Sequence, residues 1–378
     1  MKIALVRAKY NPFGGAERFL NDAVAAMQGS DVKFTLFTRA WPVQAAGAMK
    51  HRIVNPRYLT SAGRDSGFNA AVTRAISQEK FDLVQSYERL PDCDIYHAVD
   101  GVHAEWLRQR ARISSGVKQF GIAINPHHRY VLTAERAMYS SPKFKAAICI
   151  SQMVKADILR HFDVDPEKLH VIYSGIDTEK FSPDSRSQMR DATRGKYGIP
   201  AAVKVAVFVG SGFERKGLAQ FIRALAHPAP AYPAVAPEKI FGLVVGKDKL
   251  SKKYEALASQ LGIRERIIFT GGVADTRPFY AASDVFVLPT IYEPFGLVCL
   301  EAMAAGLAVI TSTGAGAAEL IDEGVNGYVC DALDTTGIAR AMHDITPAMG
   351  LAARDTALKF SPKNMAAQYA SLYRQLQK

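Results

Sequence analysis

Two glutamates, Glu293 and Glu301, stand eight positions apart in "YEPFGLVCLEAMAAG", residues 292–306, with a proline, a glycine and an apolar run between them. "DVFVLPT" reads as a strand, "IYEPFG" as a loop and "LVCLEAMAAG" as a helix packed on a sheet. Glu293 then lies at the carboxyl end of a strand and Glu301 near the second turn of the helix. Phe295, Gly296 and Leu297 expose backbone amides at the helix start, which is a seat for an anion. A helical carboxylate beside that seat repels phosphate, so its fitting partner is a pair of vicinal hydroxyls, from which a carboxylate accepts two hydrogen bonds. Two solvated carboxylates are the competing reading.

A second constellation is "VGSGFERKGL", residues 209–218, where a strand ends in a Gly-Ser-Gly turn and Arg215 and Lys216 precede a glycine and a helix. Two fixed cations beside a helix N-terminus suit a diphosphate, although Arg-Lys pairs are also common on surfaces. Together the stretches read as one nucleotide diphosphate-sugar held in three places. Glu301 takes the ribose, Arg215, Lys216 and the amides take the diphosphate, and Glu293 faces the sugar. In "YNPFGGAER", residues 10–18, Gly14 and Gly15 sit where a first strand feeds a helix, so bare amides can approach a phosphate or sugar. A plain turn explains those glycines equally well. The third glycine of G-x-G-x-x-G is missing, which counts against a dehydrogenase.

These residues need strands to carry them. "KIALVRA", "VKFTLFT", "DLVQS", "CDIYHA" and "AAICIS" form one series, and "VKVAVFVG", "IFGLVVG", "RIIFTGG", "DVFVLPT" and "LAVITS" a second. Two-sided apolar runs alternating with amphipathic segments predict parallel sheets covered on both faces. The fold class expected is α/β: two Rossmann-like, doubly wound domains facing a central cleft, with ligands at the carboxyl ends of the strands. A chain of 378 residues exceeds one comfortable core. The join is expected in "YSGIDTEKFSPDSRS", giving domains 1–172 and 173–360, with a C-terminal helix over 361–378 returning to the first.

With 48% hydrophobic and 22% charged residues the chain is globular, and no apolar run approaches the length of a membrane span. No signal peptide is expected at its start. Four scattered cysteines without C-x-x-C imply reduced thiols, neither a metal site nor a disulfide scaffold. Asp92-Cys93-Asp94 is a literal D-x-D, but it lies where a strand begins, so no metal site is expected there either. Of the net charge of +11, the segment from His103 to Lys145 carries +6. Arg108, Arg110, Arg112, Lys118 and Arg129 there, interleaved with Trp106, Leu107, Ile113, Phe120, Ile122 and Ile124, are expected to form a patch for phosphates on an anionic bilayer or phosphorylated glycolipid. A solvated helical face is the bland alternative. A nucleic-acid platform would need regular aromatic stacking positions, and Trp106, Phe120 and Tyr130 do not supply them, so no nucleic acid is expected.

The motif "EPFGLVCLE" matches the Glu-x7-Glu signature of retaining glycosyltransferases with the GT-B fold, a family that includes sucrose synthases and mannosyltransferases. "STGAGAAELI" is similar to its glycine-rich stretch followed by a glutamate, and "GSGFERKG" to its Arg-Lys phosphate clamp. Within that family, "YNPFGGAER", "DIYHAVDGVHAEW" and "AERAMY" resemble the bacterial lipopolysaccharide core glucosyltransferases. The resemblance implies a UDP-sugar donor, UDP-glucose, and a lipid A-anchored heptose acceptor at the cytoplasmic membrane face. It implies a peripheral cytoplasmic enzyme with no cofactor besides the nucleotide sugar. Many family members carry a histidine that meets the donor sugar; here Asp100, between His97 and His103, occupies that place. Asp100 is expected beside the reacting centre, and a cap for the helix in "GVHAEWLRQ" is the competing reading. Other donors of the same fold, and a non-catalytic nucleotide-binding protein, are the alternatives.

Overall fold

Short runs of β-branched and small apolar residues build both sheets. A computed structural model describes residues 1–10, 24, 32–42, 49–227 and 239–377. The chain divides into one unit of Met1–Gly175 with Pro362–Lys378 and a second of Ile176–Ser361. Gly14 and Gly15 lie outside the described residues.

In the first unit the strands are β1 (Lys2–Val6), β2 (Lys33–Thr38), β3 (Lys50–Ile53), β4 (Leu83–Ser86), β5 (Ile95–His97), β6 (Ala146–Cys149) and β7 (Leu169–Val171). They pair in parallel in the order β3-β2-β1-β4-β5-β6-β7. The direction of winding reverses between β1 and β4, and the carboxyl ends on either side of such a reversal form a natural ligand crevice. The helix Pro362–Gln377 buries Met365, Ala366, Tyr369, Leu372 and Tyr373, a stripe at helical spacing, in the same core as Ile3, Leu5, Leu36, Ile95 and Ile148. Two polar contacts fix its register: the Tyr373 hydroxyl donates to Gln85 Oε1 at 2.7 Å, and Tyr369 Oη lies 2.5 Å from His97 Nε2.

The second unit repeats the plan with β8 (Val205–Val209), β9 (Phe241–Val245), β10 (Ile267–Gly271), β11 (Val285–Leu288), β12 (Ala308–Ser312) and β13 (Gly327–Cys330). Their order is β10-β9-β8-β11-β12-β13, again wholly parallel, with the reversal between β8 and β11. Every residue of β8, β11 and β12 is buried, as strands covered on both faces must be. The expected α/β class with two doubly wound sheets is what the molecule has.

Candidate active site

The loops after β8 and β11, neighbours at the reversal, bring Arg215, Lys216 and Glu293 together. After β8 the chain makes a short helix, Phe213–Lys216, then turns at Gly217 with φ +78 before the helix Leu218–Ala226. A Cβ at Gly217 would lie 1.8 Å from the Pro289 carbonyl oxygen, so only glycine lets this turn touch the loop after β11. The contact is locked by Ile291 N donating to Arg215 O at 2.8 Å and the Thr290 hydroxyl donating to the same oxygen at 3.0 Å.

One oxygen of Glu293, Oε2, accepts from Arg215 Nη1 at 2.9 Å and from Lys216 Nζ at 2.7 Å. Arg215 also donates to the Tyr292 carbonyl at 3.0 Å. Burial alone would raise the Glu293 carboxyl, but the Arg215 and Lys216 charges and hydrogen bonds outweigh it and hold it at about 2. The side chains of Lys216 and Glu293 are only 11% and 14% exposed, whereas Arg215 keeps 34%. The glycine-rich stretch after β12 grips Glu293 from the other side: Glu293 N donates to Gly314 O at 2.8 Å and Gly316 N to Glu293 O at 2.9 Å. A Cβ at Gly314 would sit 2.4 Å from the Ile291 carbonyl oxygen, which explains a glycine there.

Gly296, at φ +94, is the N-cap of the helix Leu297–Ala304, and no side chain caps it. Phe295 is buried, and its carbonyl accepts from Ala317 N at 2.7 Å. Glu301, one turn into the helix, is buried, and its Oε2 accepts from the Tyr280 hydroxyl at 2.8 Å. Tyr280 had no signal in sequence; it lies on the short helix Arg277–Ala282 and reaches Glu301 only through packing. The Cys299 thiol is pushed up to about 12 by burial and stays protonated, so it is no nucleophile.

In the first unit, Asp100 follows β5 and stands within 3.3 Å of Arg89 Nη1 and 3.7 Å of Arg7 Nη1, with 44% of its side chain exposed. Arg7 directly follows β1, a position at a strand's carboxyl end that could have singled it out. The helix His103–Ala111 has Val102 at its N-cap with no side-chain bond, and His103 N donates to both carboxylate oxygens of the buried Glu135, at 2.9 and 3.1 Å. Glu135 thus serves this helix start, and Asp100 stands two residues before the N-cap position. His97 is buried between Tyr87 and Tyr369, and burial brings its imidazole down to about 3. His103 lies 3.1 Å from His128 Nδ1. Asp92 and Asp94 pair with Lys143 and Lys145 at 3.2 and 3.1 Å.

The basic segment folds as three helices, His103–Ala111, Gly116–Ala123 and Pro126–Tyr139. Arg108 is committed to the buried carboxylate of Glu105, with Nη2–Oε1 at 2.6 Å, and Glu105 also lies 3.0 Å from His161 Nε2. Arg110 lies over the Trp106 ring, and Arg112 donates to Gln109 at 3.2 Å. Lys118 and Arg129 are exposed. No residue of Gly116–Ala123 is buried, and Val117, Phe120 and Ile124 are 86%, 69% and 58% exposed. Among the described residues no helix is long and apolar enough to cross a membrane.

Known proteins share this fold. The family model of glycosyl transferases group 1 matches residues 189–347, and that of glycosyltransferase family 4 matches residues 13–180. The lipopolysaccharide glucosyltransferase WaaG of Escherichia coli (strain K12) is 30% identical over 87% of this chain and 85% of its own length. The crystal structure of WaaG, a glycosyltransferase involved in lipopolysaccharide biosynthesis, matches with a TM-score of 0.80 at 26% identity, covering 98% of this chain and 99% of that one. HepE of Anabaena in complex with UDP-glucose matches with a TM-score of 0.74 at 21% identity, covering 99% and 100%, a likeness of fold.

Proposed function

The chain belongs to the group 1 glycosyltransferases of GT-B fold, and on that footing we propose that it moves glucose from UDP-glucose to a heptose of the lipopolysaccharide inner core, with retention of configuration. The observation that carries this reading is the Arg215–Lys216–Glu293 cluster at the carboxyl ends of β8 and β11, beside the uncapped helix that holds Glu301. The relative from Escherichia coli, a lipopolysaccharide glucosyltransferase by name, supports the choice of donor sugar and acceptor.

Glu301 accepts from the ribose hydroxyls, with Tyr280 holding its other side. Arg215, Lys216 and the amides of Gly296 and Leu297 take the diphosphate. The barrier falls through stabilisation of the charge that builds on the departing diphosphate. The C–O bond to that phosphate breaks as the acceptor oxygen bonds to the same face of the sugar, and the leaving phosphate oxygen accepts the acceptor's proton. Glu293 and Asp100 hold sugar or acceptor hydroxyls. The two cations do for the diphosphate what a bound metal does elsewhere, so the reaction is metal-independent.

The acceptor is anchored in lipid, and the exposed apolar stripe Val117, Phe120 and Ile124, flanked by Arg110, Arg112, Lys118 and Arg129, supports docking on an anionic bilayer at the cytoplasmic membrane face. One comparison tests the donor: melting shifts with UDP-glucose, UDP-galactose, GDP-mannose and ADP-glucose, followed by transfer to heptose-terminated lipopolysaccharide. A shift confined to a GDP- or ADP-sugar overturns the donor, and transfer to no heptose acceptor overturns the acceptor.

A further inference from the structure

Ile53, Tyr58 and Leu59 fall within seven residues, and each side chain is half exposed or more, that of Leu59 fully. Single exposed apolar side chains need no explanation, but three at one loop do. Ile53 ends β3, and residues 54–60 form the loop that follows it. Neither end of that loop is loose. Val54 N donates to Thr38 O at 2.7 Å, and the Thr60 hydroxyl accepts from Gly63 N at 3.0 Å, capping the helix Ser61–Ser77. Arg39 fixes the middle. It donates through Nε and Nη2 to Asn55 Oδ1 at 3.0 and 2.9 Å, and its guanidinium lies 4.6 Å from the centre of the Tyr58 ring. Leu59 is thus held out into solvent by a braced backbone.

Its position joins it to the exposed helix Gly116–Ala123. The helix Ser61–Ser77 packs on Pro126–Tyr139, with Asn69 Nδ2 3.1 Å from Tyr130 Oη and Asp65 Oδ2 3.7 Å from His127 Nδ1. The two helices therefore start side by side. Leu59 stands two residues before one start, and the exposed Ile124 two before the other. The strands that feed them, β3 and β5, lie four strand spacings apart in one parallel sheet, roughly 19 Å along its carboxyl edge. The sign of the charge is also shared. Residues 50–64 hold Lys50, Arg52, Arg57 and Arg64 and no acid. Arg52 pairs with Glu79 and Arg64 with Asp65, while the exposed Lys50 and Arg57 flank the apolar residues in sequence.

We propose that this loop is a second bilayer contact: Leu59 enters the acyl chains of an anionic phospholipid membrane, Tyr58 sits at headgroup depth and Arg57 meets the headgroups. This contact rests on the docking proposed for Gly116–Ala123 and deepens it. The helix and its cations bring the molecule to the surface, and the loop sets the tilt, because two footings on one edge permit fewer orientations than one. A protruding leucine beside cations fits an anionic bilayer, which yields to a side chain without needing a matching pocket.

The test places an environment-sensitive fluorophore on Leu59→Cys, on Ile124→Cys or, beyond the far end of the helix Ser61–Ser77, on Gln78→Cys. Each is the full chain carrying Cys330→Ser, so that the other native cysteines are buried. With phosphatidylglycerol vesicles the labels at positions 59 and 124 should gain emission and escape quenching by acrylamide, and the label at 78 should do neither. Phosphatidylcholine vesicles should change none of them. Leu59→Ser, which trims a side chain fully open to solvent, should weaken partition onto phosphatidylglycerol by about tenfold or more and leave melting and UDP affinity unchanged. A label at 59 that stays open to acrylamide while that at 124 is protected, or undiminished partition of Leu59→Ser, overturns the loop contact and leaves the helix in place. Neither label entering removes both contacts. Protection at 59 that grows with protein concentration in the absence of vesicles also overturns the proposal, because it assigns the loop to a second copy of the chain.

Discussion

Lys216 Nζ and Glu293 Oε2 lie 2.7 Å apart, both side chains nearly shut off from water, although 77 residues separate them in the chain. Such a pair is worth little against an apolar substitute, yet removing one member strands the other. Lys216→Ala should therefore cost about 1–3 kcal/mol of stability, moderated because Arg215 still serves the same oxygen. Arg215→Ala, with a more exposed side chain, should cost less. Both should lower turnover at least about a hundredfold, as loss of leaving-group stabilisation does. Melting curves and turnover per folded molecule check this, and full activity in either variant would remove the clamp from the mechanism.

The same carboxylate sets an acid limit. Glu293 is held at about 2 when folded, below its ordinary 4.5, so its contribution is present in full above about pH 4.5 and is lost as pH falls through 2. That depression corresponds to on the order of 3 kcal/mol. In Glu293→Gln this part of the pH dependence should vanish. Urea unfolding of both proteins at pH 6 and pH 3 reads it: the gap between them should narrow on acidification, and a constant gap would show that the ion pair contributes nothing.

Glu301 offers a cleaner test of donor binding, because the Tyr280 hydroxyl that donates to it is neutral. Glu301→Ala removes a charged acceptor worth roughly 1.5–3 kcal/mol to the ribose, or about one to two orders of magnitude in UDP affinity. Tyr280→Phe removes only the hydroxyl that steadies Glu301, at 2.8 Å, and should weaken UDP by less than Glu301→Ala. UDP titration of the folded variants decides, and unchanged affinity in Glu301→Ala sinks the ribose assignment.

Asp100 and Glu135 should separate activity from stability. Glu135 is buried and serves His103 N and, at 3.2 Å, Arg89 Nε, so Glu135→Ala should cost about 2–4 kcal/mol. Asp100, nearly half exposed, keeps its shape as Asn and should lose little stability. If it holds a reacting hydroxyl, Asp100→Asn loses most transfer while UDP binding stays. Equal transfer by Asp100→Asn would move the residue out of the reaction.

How far all this could be read from sequence depended on burial. Runs buried on both faces, such as those of β8, β11 and β12, declare themselves. The strands missed, β3, β7 and β13, all stand at sheet edges, where one partner and partial exposure leave no continuous apolar run: β3 is "KHRI" and β7 only "LHV". The meeting of Arg215 and Lys216 with Glu293 follows from strand carboxyl ends and the adjacency of β8 and β11, so the motifs point to it. Tyr280 and Glu135 were illegible for another reason. Helix packing, which no local pattern records, turns one into a partner of Glu301 and makes the other, counted as a charge in a basic segment, a buried cap.

That packing also sharpens the expected behaviour of the basic segment. Arg108 pairs with Glu105, and Lys143 and Lys145 with Asp92 and Asp94; of the segment's other cations, Arg110, Arg112, Lys118 and Arg129 stand nearest in sequence to the exposed apolar stripe. Beside them Val117, Phe120 and Ile124 fall at i, i+3 and i+7, one face of a helix with nothing buried. An apolar side chain moved from water into lipid gains about 1.5–3 kcal/mol when fully buried, and each cation near an anionic surface adds on the order of 1 kcal/mol. Neither set alone gives firm docking, so the two should fail differently. Sedimentation with phosphatidylglycerol vesicles should be strong, weaken with added salt, and be absent with phosphatidylcholine. Changing the four cations to serine should abolish the salt-sensitive part and leave UDP affinity intact. Changing Val117, Phe120 and Ile124 to serine should weaken binding at every salt concentration and leave the relative salt dependence in place. Equal sedimentation of the unaltered protein with neutral and anionic vesicles would rule out the electrostatic contribution, and a triple-serine variant that binds as well as the parent would rule out the apolar one.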